Sequence, residues 1–478
     1  MNNGSGRRIN NAEGRRSPEN GGYGEARQGR PDTTRPKAEI KRPLPGRKTE
    51  GSGSYRPKAE VTRTPKRGSY SAGRSVRPYG AVQKADEKSL AKAEKEKRWY
   101  ERVTRTKGSP DRVFFILVAL LISLGIVMIY TASYPAAIAK GLSGSYYVIK
   151  QLRWIAIGTV MMLICTFFPT HLIKKFSPAI YGFSILMLIA VLIFGTTAGG
   201  AKRWINITED IRIQPSEIAK LAIVLMLAWY LSNHENEVRD KGSFKNRLIY
   251  GVLIPGAFIG VMALLIAFEK HLSGLGITVI LGVVVLFLGG VDLRITVPFY
   301  MGLAAVGVPA YLVINPYALE RVTTFFDDEA DILDEAWQTY QGTLAIGSGG
   351  FLGLGLGQSR QKYSYVSEAH NDFIFTIWCE EMGFVGAVAV IALFMALIIR
   401  GYRIALRAPD KYSSLIVFGI VTQVGVQAFL NIMVVSDAFF NTGVSLPFLS
   451  YGGTSLVMLM AEMGIVLGVS RRSYEILE

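Results

Sequence analysis

Residues 361–383 read QKYSYVSEAHNDFIFTIWCEEMG, where a polar stretch carrying Glu368, His370 and Asp372 turns directly into an apolar helix. Chemistry-bearing carboxylates and an imidazole here stand against a membrane span, which makes Asp372 a functional candidate. The apolar run that follows, 373–400, is long enough to cross a bilayer, which takes about 20 residues. Asp372 therefore sits at a membrane boundary. A carboxylate deeper in hydrocarbon costs about 2.5–3.5 kcal/mol on insertion scales, so acids near such depths face a protein interior or a polar cavity. A structural role is equally open, because Asn371 or Asp372 can cap the helix and satisfy its free N–H groups.

The elements that must position these groups are membrane helices. Of 478 residues, 50% are hydrophobic and 19% charged, values that point away from an ordinary soluble enzyme. Ten apolar segments are expected near 113–130, 154–168, 178–197, 216–231, 248–268, 273–290, 296–314, 373–399, 414–435 and 451–469, an all-α polytopic membrane protein. The longest connection, 315–371, lies between the seventh and eighth. Cys165 and Cys379 both fall in apolar runs, so neither a disulfide framework nor a zinc pattern is available.

The net charge of +16 resembles a nucleic-acid signal, but its location excludes that reading. Residues 1–112 carry 29 Lys and Arg against 13 Asp and Glu, the whole excess, and the remainder is neutral. Residues 1–85 lack the aliphatic side chains needed to offset folding entropy and are expected to be a disordered basic tail. The sequence RPKAE occurs in it twice, at 35–39 and 56–60. Residues 86–112 favour a charged juxtamembrane helix, followed by the ten-helix domain over 113–472 and a short C-terminus, 473–478. No apolar run precedes Val113, so the first helix is expected to stay as an anchor. The basic residues before it hold the tail in the cytoplasm, and Arg400, Arg403, Arg407, Arg471 and Arg472 then also fall inside.

Alternation of the helices brings several polar stretches to Asp372's side. Lys202, Arg203 and Trp204 stand in one loop, as substrate-binding cations or as an interfacial anchor. Gln214, Pro215 and Glu217 open the fourth helix, where Pro and an acid suit the first turn, and Glu217 and Lys220 are spaced to pair on one face. A tight turn presents Glu269, Lys270 and His271. Gln427 and Asn431 share a face of the ninth helix, where interhelical hydrogen bonding is the ordinary explanation. LPFLSYGGTS, containing Ser450 and Tyr451, precedes the tenth. The glycines of 342–357 lack the strand and the Lys-Ser/Thr pair of a phosphate loop, so flexible backbone or close helix approach is the better reading.

AKRWINI with RIQPSEIAKL, YQGTLAIGSGGFLGLGLGQS, EAHNDFIF with EEMGF, and LPFLSYGGTS together resemble the SEDS (shape, elongation, division and sporulation) family, over about residues 113–472. EAH and LPFLSYGG lean toward its FtsW and SpoVE members. The resemblance implies a peptidoglycan glycosyltransferase of the bacterial cytoplasmic membrane, polymerising lipid II into β-1,4 glycan strands at the outer face, for division or cell-wall growth. Asp372 occupies the position of the family's essential acid, and Arg203, Gln214, Glu217 and Lys220 fall in its fourth-helix motif. Glu368, His370, Ser450 and Tyr451 lie in the other matching motifs and are taken as substrate-binding candidates. The implied partners are lipid II, a class B penicillin-binding protein and other divisome or elongasome membrane proteins, with no nucleic acid. No cofactor is compelled; Mg or Mn could share the neutralisation of pyrophosphate with Arg203 and Lys202. Where many members have Pro-Asp-Leu-Gly after the fifth helix, this chain has Glu269-Lys270-His271-Leu272-Ser273-Gly274, so the aspartate's role does not transfer.

Two other functions stay in view. A lipid II flippase would need polar groups reaching the inner side, and Glu380, Glu381 and Glu462 keep that open. Glu380 stands about 12 Å below Asp372 along a helix. A division scaffold recruiting through the tail is compatible with either activity.

Overall fold

The computed structural model describes residues 103–105, 108–198, 201–208, 211–240, 243–327, 336–367 and 369–476. The basic tail, most of the expected juxtamembrane helix, both RPKAE copies, Glu368 and the acidic run 328–335 lie outside them.

Ten of the described helices are long and apolar enough to cross a membrane. They are α1 (Arg112–Ala139), α2 (Tyr146–Phe167), α3 (Thr170–Phe194), α4 (Pro215–Asn233), α5 (Phe244–Phe268), α6 (Leu272–Gly289), α7 (Leu293–Ile314), α10 (Ile374–Leu406), α11 (Lys411–Val435) and α12 (Gly453–Ser470). Two shorter helices, α8 (Pro316–Phe326) and α9 (Trp337–Ser348), lie in the long connection. The first span runs nine residues past its expected end, through Pro135, and α10 continues past Arg400 to Leu406.

Burial distinguishes these helices more sharply than hydropathy does. α4 is the most enclosed, packed by α3, α6 and α11. α7, of greater mean hydropathy, has none of its most apolar window buried and touches α5 near its start, where Tyr300 donates to the Val252 carbonyl (3.3 Å). An apolar helix surface costs nothing against lipid, so composition cannot say which helix is central. Local signals do set the starts. Asp111 accepts from the Phe114 N–H (2.9 Å) at α1, and Asp410 accepts from the Ser413 N–H (3.0 Å) at α11.

Strands are few. β2 (Thr196–Ala198), β3 (Ala201–Asn206) and β4 (Arg212–Ile213) form a small antiparallel sheet between α3 and α4. β1 (Val103–Arg105) pairs antiparallel with β5 (Tyr474–Ile476), Val103 opposite Ile476. Residues 103–105 of the expected helix over 86–112 are therefore an extended strand, whose backbone groups bond to the C-terminal segment, and 108–111 are not helical; Arg112 already starts α1, and the rest of that stretch lies outside the described residues.

The glycine-rich stretch is a clamp on α10. Leu354 and Gly355 donate to the carbonyls of Glu380 and Glu381 (3.0 and 2.9 Å), and Phe384 donates to Gly350 (2.9 Å). The helix breaks to allow it: Gly383 has φ 64 and ψ −163, and a β-carbon there would stand 2.3 Å from the Gly353 nitrogen. Only glycine accepts both the left-handed φ and that contact.

Candidate active site

Four connections and the first turns of α2 meet at one end of the bundle. Arg203 Nη2 donates to the Lys270 carbonyl (3.3 Å), Arg321 Nη1 to Asn441 (2.8 Å), Ser273 Oγ to Thr442 (2.9 Å) and Thr454 Oγ1 to Arg212 (2.9 Å), while the Gly452 N–H donates to Gln151 Oε1 (3.4 Å). The opposite end is basic, with Arg400 on Asp111, Arg247 on Asp292 and Arg472 on Thr170.

Asp372 lies half-buried in the last turn before α10. The N-cap position of α10 falls one residue later than the capping alternative placed it, on Phe373, which makes no side-chain cap bond. Its main chain is instead held from α11, where Asn431 Nδ2 donates to both the Asp372 carbonyl (2.7 Å) and the Val444 carbonyl (2.6 Å). Asn431 is therefore a loop anchor, which corrects its reading as an ordinary interhelical contact. Gly443, at φ 66, comes so close that a β-carbon there would stand 3.2 Å from Asp372 Oδ2.

Arg203 is half-buried, and its Nε is enclosed without a hydrogen-bond partner. Burial lowers its basicity, Arg321 adds to that effect, and Tyr317 and the Asp372 carboxylate oppose it. Arg321 also bonds the Tyr317 hydroxyl, so two guanidiniums share one phenol beside the acid. Lys202, its neighbour on β3, is exposed. Successive strand residues point to opposite faces, so the structure does not bring Lys202 to this site as expected.

Behind Arg203 lies the turn that departs from Pro-Asp-Leu-Gly. Glu269 is fully buried and neither carboxylate oxygen has a hydrogen-bond partner. Desolvation raises its pKa to about 8, against the opposing pull of Arg203. His271 is buried with Nδ1 3.1 Å from Ser216 Oγ, and burial, with Arg203 and Lys220, holds it neutral, its pKa well below the ordinary value. Glu217 and Lys220 pair at 2.8 Å in the first turns of α4, with Lys220 enclosed. Gln214 is the α4 N-cap residue, making no side-chain cap bond.

The remaining candidates form the adjoining wall. The His370 ring is 4.7 Å from that of Tyr147 and 5.9 Å from that of Tyr451, and the Tyr451 N–H donates to the His370 carbonyl (2.9 Å). Ser450 Oγ accepts from the Leu446 N–H (2.8 Å) and so shapes its own loop. Glu217, Gln427, Ser445, Ser450 and Tyr451 line a narrow pocket between α4, α11 and the 445–451 loop. Tyr317, Tyr147 and Gln151 were not among the expected residues; Arg321, a basic residue on the side opposite the positive one and so suited to an anionic ligand, was legible by that signal though not among the site candidates.

The acids that kept transport open are tied into the scaffold. Glu380 accepts from the Ser359 hydroxyl and from the Arg360 N–H (2.9 Å), Glu381 pairs with buried Lys362 (2.8 Å), and Glu462 accepts from Gln423 (3.0 Å). Among the described residues no group of three His, Cys, Asp or Glu side chains could hold a metal ion.

The profile of a family described as cell cycle protein, FTSW_RODA_SPOVE, matches residues 111–475. A probable peptidoglycan glycosyltransferase FtsW from Geobacter sp. (strain M18) is 36% identical over 368 residues, covering 76% of this chain and 97% of the relative. Stage V sporulation protein E of Bacillus subtilis (strain 168) is 36% identical over 376 residues, 78% of this chain and 100% of the relative. Among solved structures, a chain of a peptidoglycan synthase complex coordinating polymerization and crosslinking superposes with TM-score 0.62 at 27% identity, covering 76% and 98% of the two chains. The rod shape determining protein RodA of Thermus thermophilus superposes with TM-score 0.56 at 25% identity, covering 77% and 98%.

Proposed function

The chain belongs to the FtsW/RodA/SpoVE family of cell cycle proteins, and from that premise we propose how its polar end works as a peptidoglycan glycosyltransferase. The protein is a multi-pass membrane enzyme of peptidoglycan synthesis. In our reading its donor is lipid II, its site faces outward from the bacterial cytoplasmic membrane, and its tail is cytoplasmic. The basic opposite end, carrying Arg400, Arg403, Arg407, Arg471 and Arg472, supports that orientation.

Asp372 takes the proton of the acceptor sugar's 4-hydroxyl as that oxygen attacks the donor's anomeric carbon. The new C–O bond forms with inversion, and the bond to undecaprenyl pyrophosphate breaks with its electron pair going to the phosphate. A carboxylate suits the first task and cations the second. Arg203 and Arg321 hold the departing diphosphate, a role planar guanidiniums perform through paired donors. The observation that carries this reading is that the Asp372 carboxylate is near enough to raise the basicity of the half-buried Arg203 guanidinium, beside Tyr317 and Arg321, so a base and cations belong to one site. A Mg or Mn ion needs only one or two carboxylates beside a substrate's phosphates and would share the diphosphate with Arg203; no step is assigned to one.

A class B penicillin-binding protein is the proposed partner, supported by the crosslinking complex in which the similar chain was solved. Transport is disfavoured, because Glu380, Glu381 and Glu462 are each engaged by protein groups. The test is glycan polymerisation from purified lipid II by reconstituted protein, alone and with a candidate transpeptidase. Wild type makes polymer, and folded Asp372→Ala makes none. Lipid II crossing liposome membranes without polymer from either would replace the enzyme reading by the flippase.

A further inference from the structure

The bundle end opposite the candidate site holds an open cavity of about 290 Å³ between the start of α1 and the ends of α10 and α12. Four arginines line it, Arg112, Arg400, Arg403 and Arg407, against one acid, Asp111. That acid is committed. Arg400 Nε stands 3.0 Å from both Asp111 oxygens and Nη2 2.7 Å from Oδ2. Asp111 also caps α1, and its N–H donates to Ser470 Oγ (3.0 Å) at the end of α12. The ion pair thus fixes three helix ends as walls and leaves Arg112, Arg403 and Arg407 without an acid among the described residues that line the cavity.

Arg403 and Arg407 are exposed and four residues apart, hence neighbours on one face of α10. Like charges at that spacing repel, and an anion between them turns the repulsion into attraction. Guanidiniums match phosphate oxygens in particular, through two parallel N–H donors. The source of the phosphate is indicated by the rim. Val113 and Leu406, 49% and 75% exposed, present apolar surface to the bilayer next to the arginines, which serves acyl chains and gives a soluble anion nothing.

We propose that this cavity binds the phosphate of an anionic membrane lipid, with Arg403 and Arg407 on the headgroup and the Asp111–Arg400 pair holding the walls. The site is separate from the polymerising end and would tie the enzyme to the lipid composition of its membrane.

The full chain is purified in detergent and titrated with phosphatidylglycerol, phosphatidylcholine or inorganic phosphate, with bound lipid counted by native mass spectrometry. Wild type retains phosphatidylglycerol in preference to phosphatidylcholine. Arg403→Gln with Arg407→Gln weakens that retention about 30-fold, at about five-fold for each basic residue near an anionic surface. Arg407→Gln alone gives about five-fold, which keeps the test valid if the double variant does not fold, and the double lysine variant retains most of the binding. Equal retention of phosphatidylglycerol by wild type and the glutamine variants overturns the proposal. Displacement of the lipid by millimolar inorganic phosphate, with the arginines required for both, assigns the cavity to a soluble anion and overturns the lipid reading.

Discussion

Asn431 Nδ2 lies 2.7 Å from the Asp372 carbonyl and 2.6 Å from that of Val444, so one amide joins the proposed base's loop to the loop before α12. Two connections far apart in sequence are held at a fixed separation by a side chain from the buried face of a third element. Misplacing a reacting group by about 1 Å can cost about 100-fold in rate.

Replacing Asn431 by Leu keeps the volume and removes both bonds. The expected result is a fall in kcat of about 10- to 100-fold with KM little changed, read from lipid II polymerisation by reconstituted protein. A larger effect on KM than on kcat would assign Asn431 to substrate binding instead.

Gly443→Ala introduces a β-carbon 3.2 Å from Asp372 Oδ2 on a backbone with φ 66. The left-handed conformation costs about 1–2 kcal/mol for a residue with a side chain. Polymerisation is expected to drop at least ten-fold while the melting temperature falls by a few degrees. Full activity would show that Asp372 has room to move and that the glycine is there for the turn alone.

Glu269 supplies a pH signature. Its pKa is raised from 4.5 to about 8, so between those values the folded protein holds a proton that the unfolded chain has released. Stability then falls as pH rises through that window, because the native state binds more protons. Glu269→Gln mimics the protonated form and should melt higher than wild type at pH 9 by several degrees, with the gap nearly closed at pH 5. The thermal midpoints of both proteins across pH 5–9 check it, and a gap independent of pH would place a charged carboxylate there at every pH.

Lys362 and Glu381 are 4% and 0% exposed and pair at 2.8 Å, with Lys362 Nζ also donating to the Gly357 carbonyl (2.7 Å). Removing one partner leaves the other charge buried, a loss of about 3–5 kcal/mol. Lys362→Met is therefore expected to lower the thermal midpoint strongly, and Lys362→Met with Glu381→Leu to recover much of it. Additive losses in the double variant would mean that packing, not charge, holds the loop.

Much of the architecture was legible in the chain. Ten apolar runs, the acid before α10, the Glu217–Lys220 pair and the close approach of the 342–357 glycines all follow from spacing and composition, since each depends on neighbours in sequence. The clamp by Asn431, the phenol shared by Arg203 and Arg321, and the enclosure of Glu269 do not. Reading Lys202 with Arg203 as one cationic pair failed for a local reason, the alternation of a strand that the loop sequence did not announce.

By itself the sequence determined that this is a ten-span membrane protein with an acid poised at one boundary, because hydropathy and helix starts are written in contiguous residues. Only the tertiary structure decided which polar groups share that acid's surroundings and which are spent on the scaffold. Glu380 and Asp372 look alike as acids near the same span, yet one is consumed by Ser359 and the Arg360 N–H while the charge of the other is felt at Arg203. That distinction rests on which loops are brought together by packing of buried faces, and in a membrane apolar faces look the same whether they meet lipid or another helix.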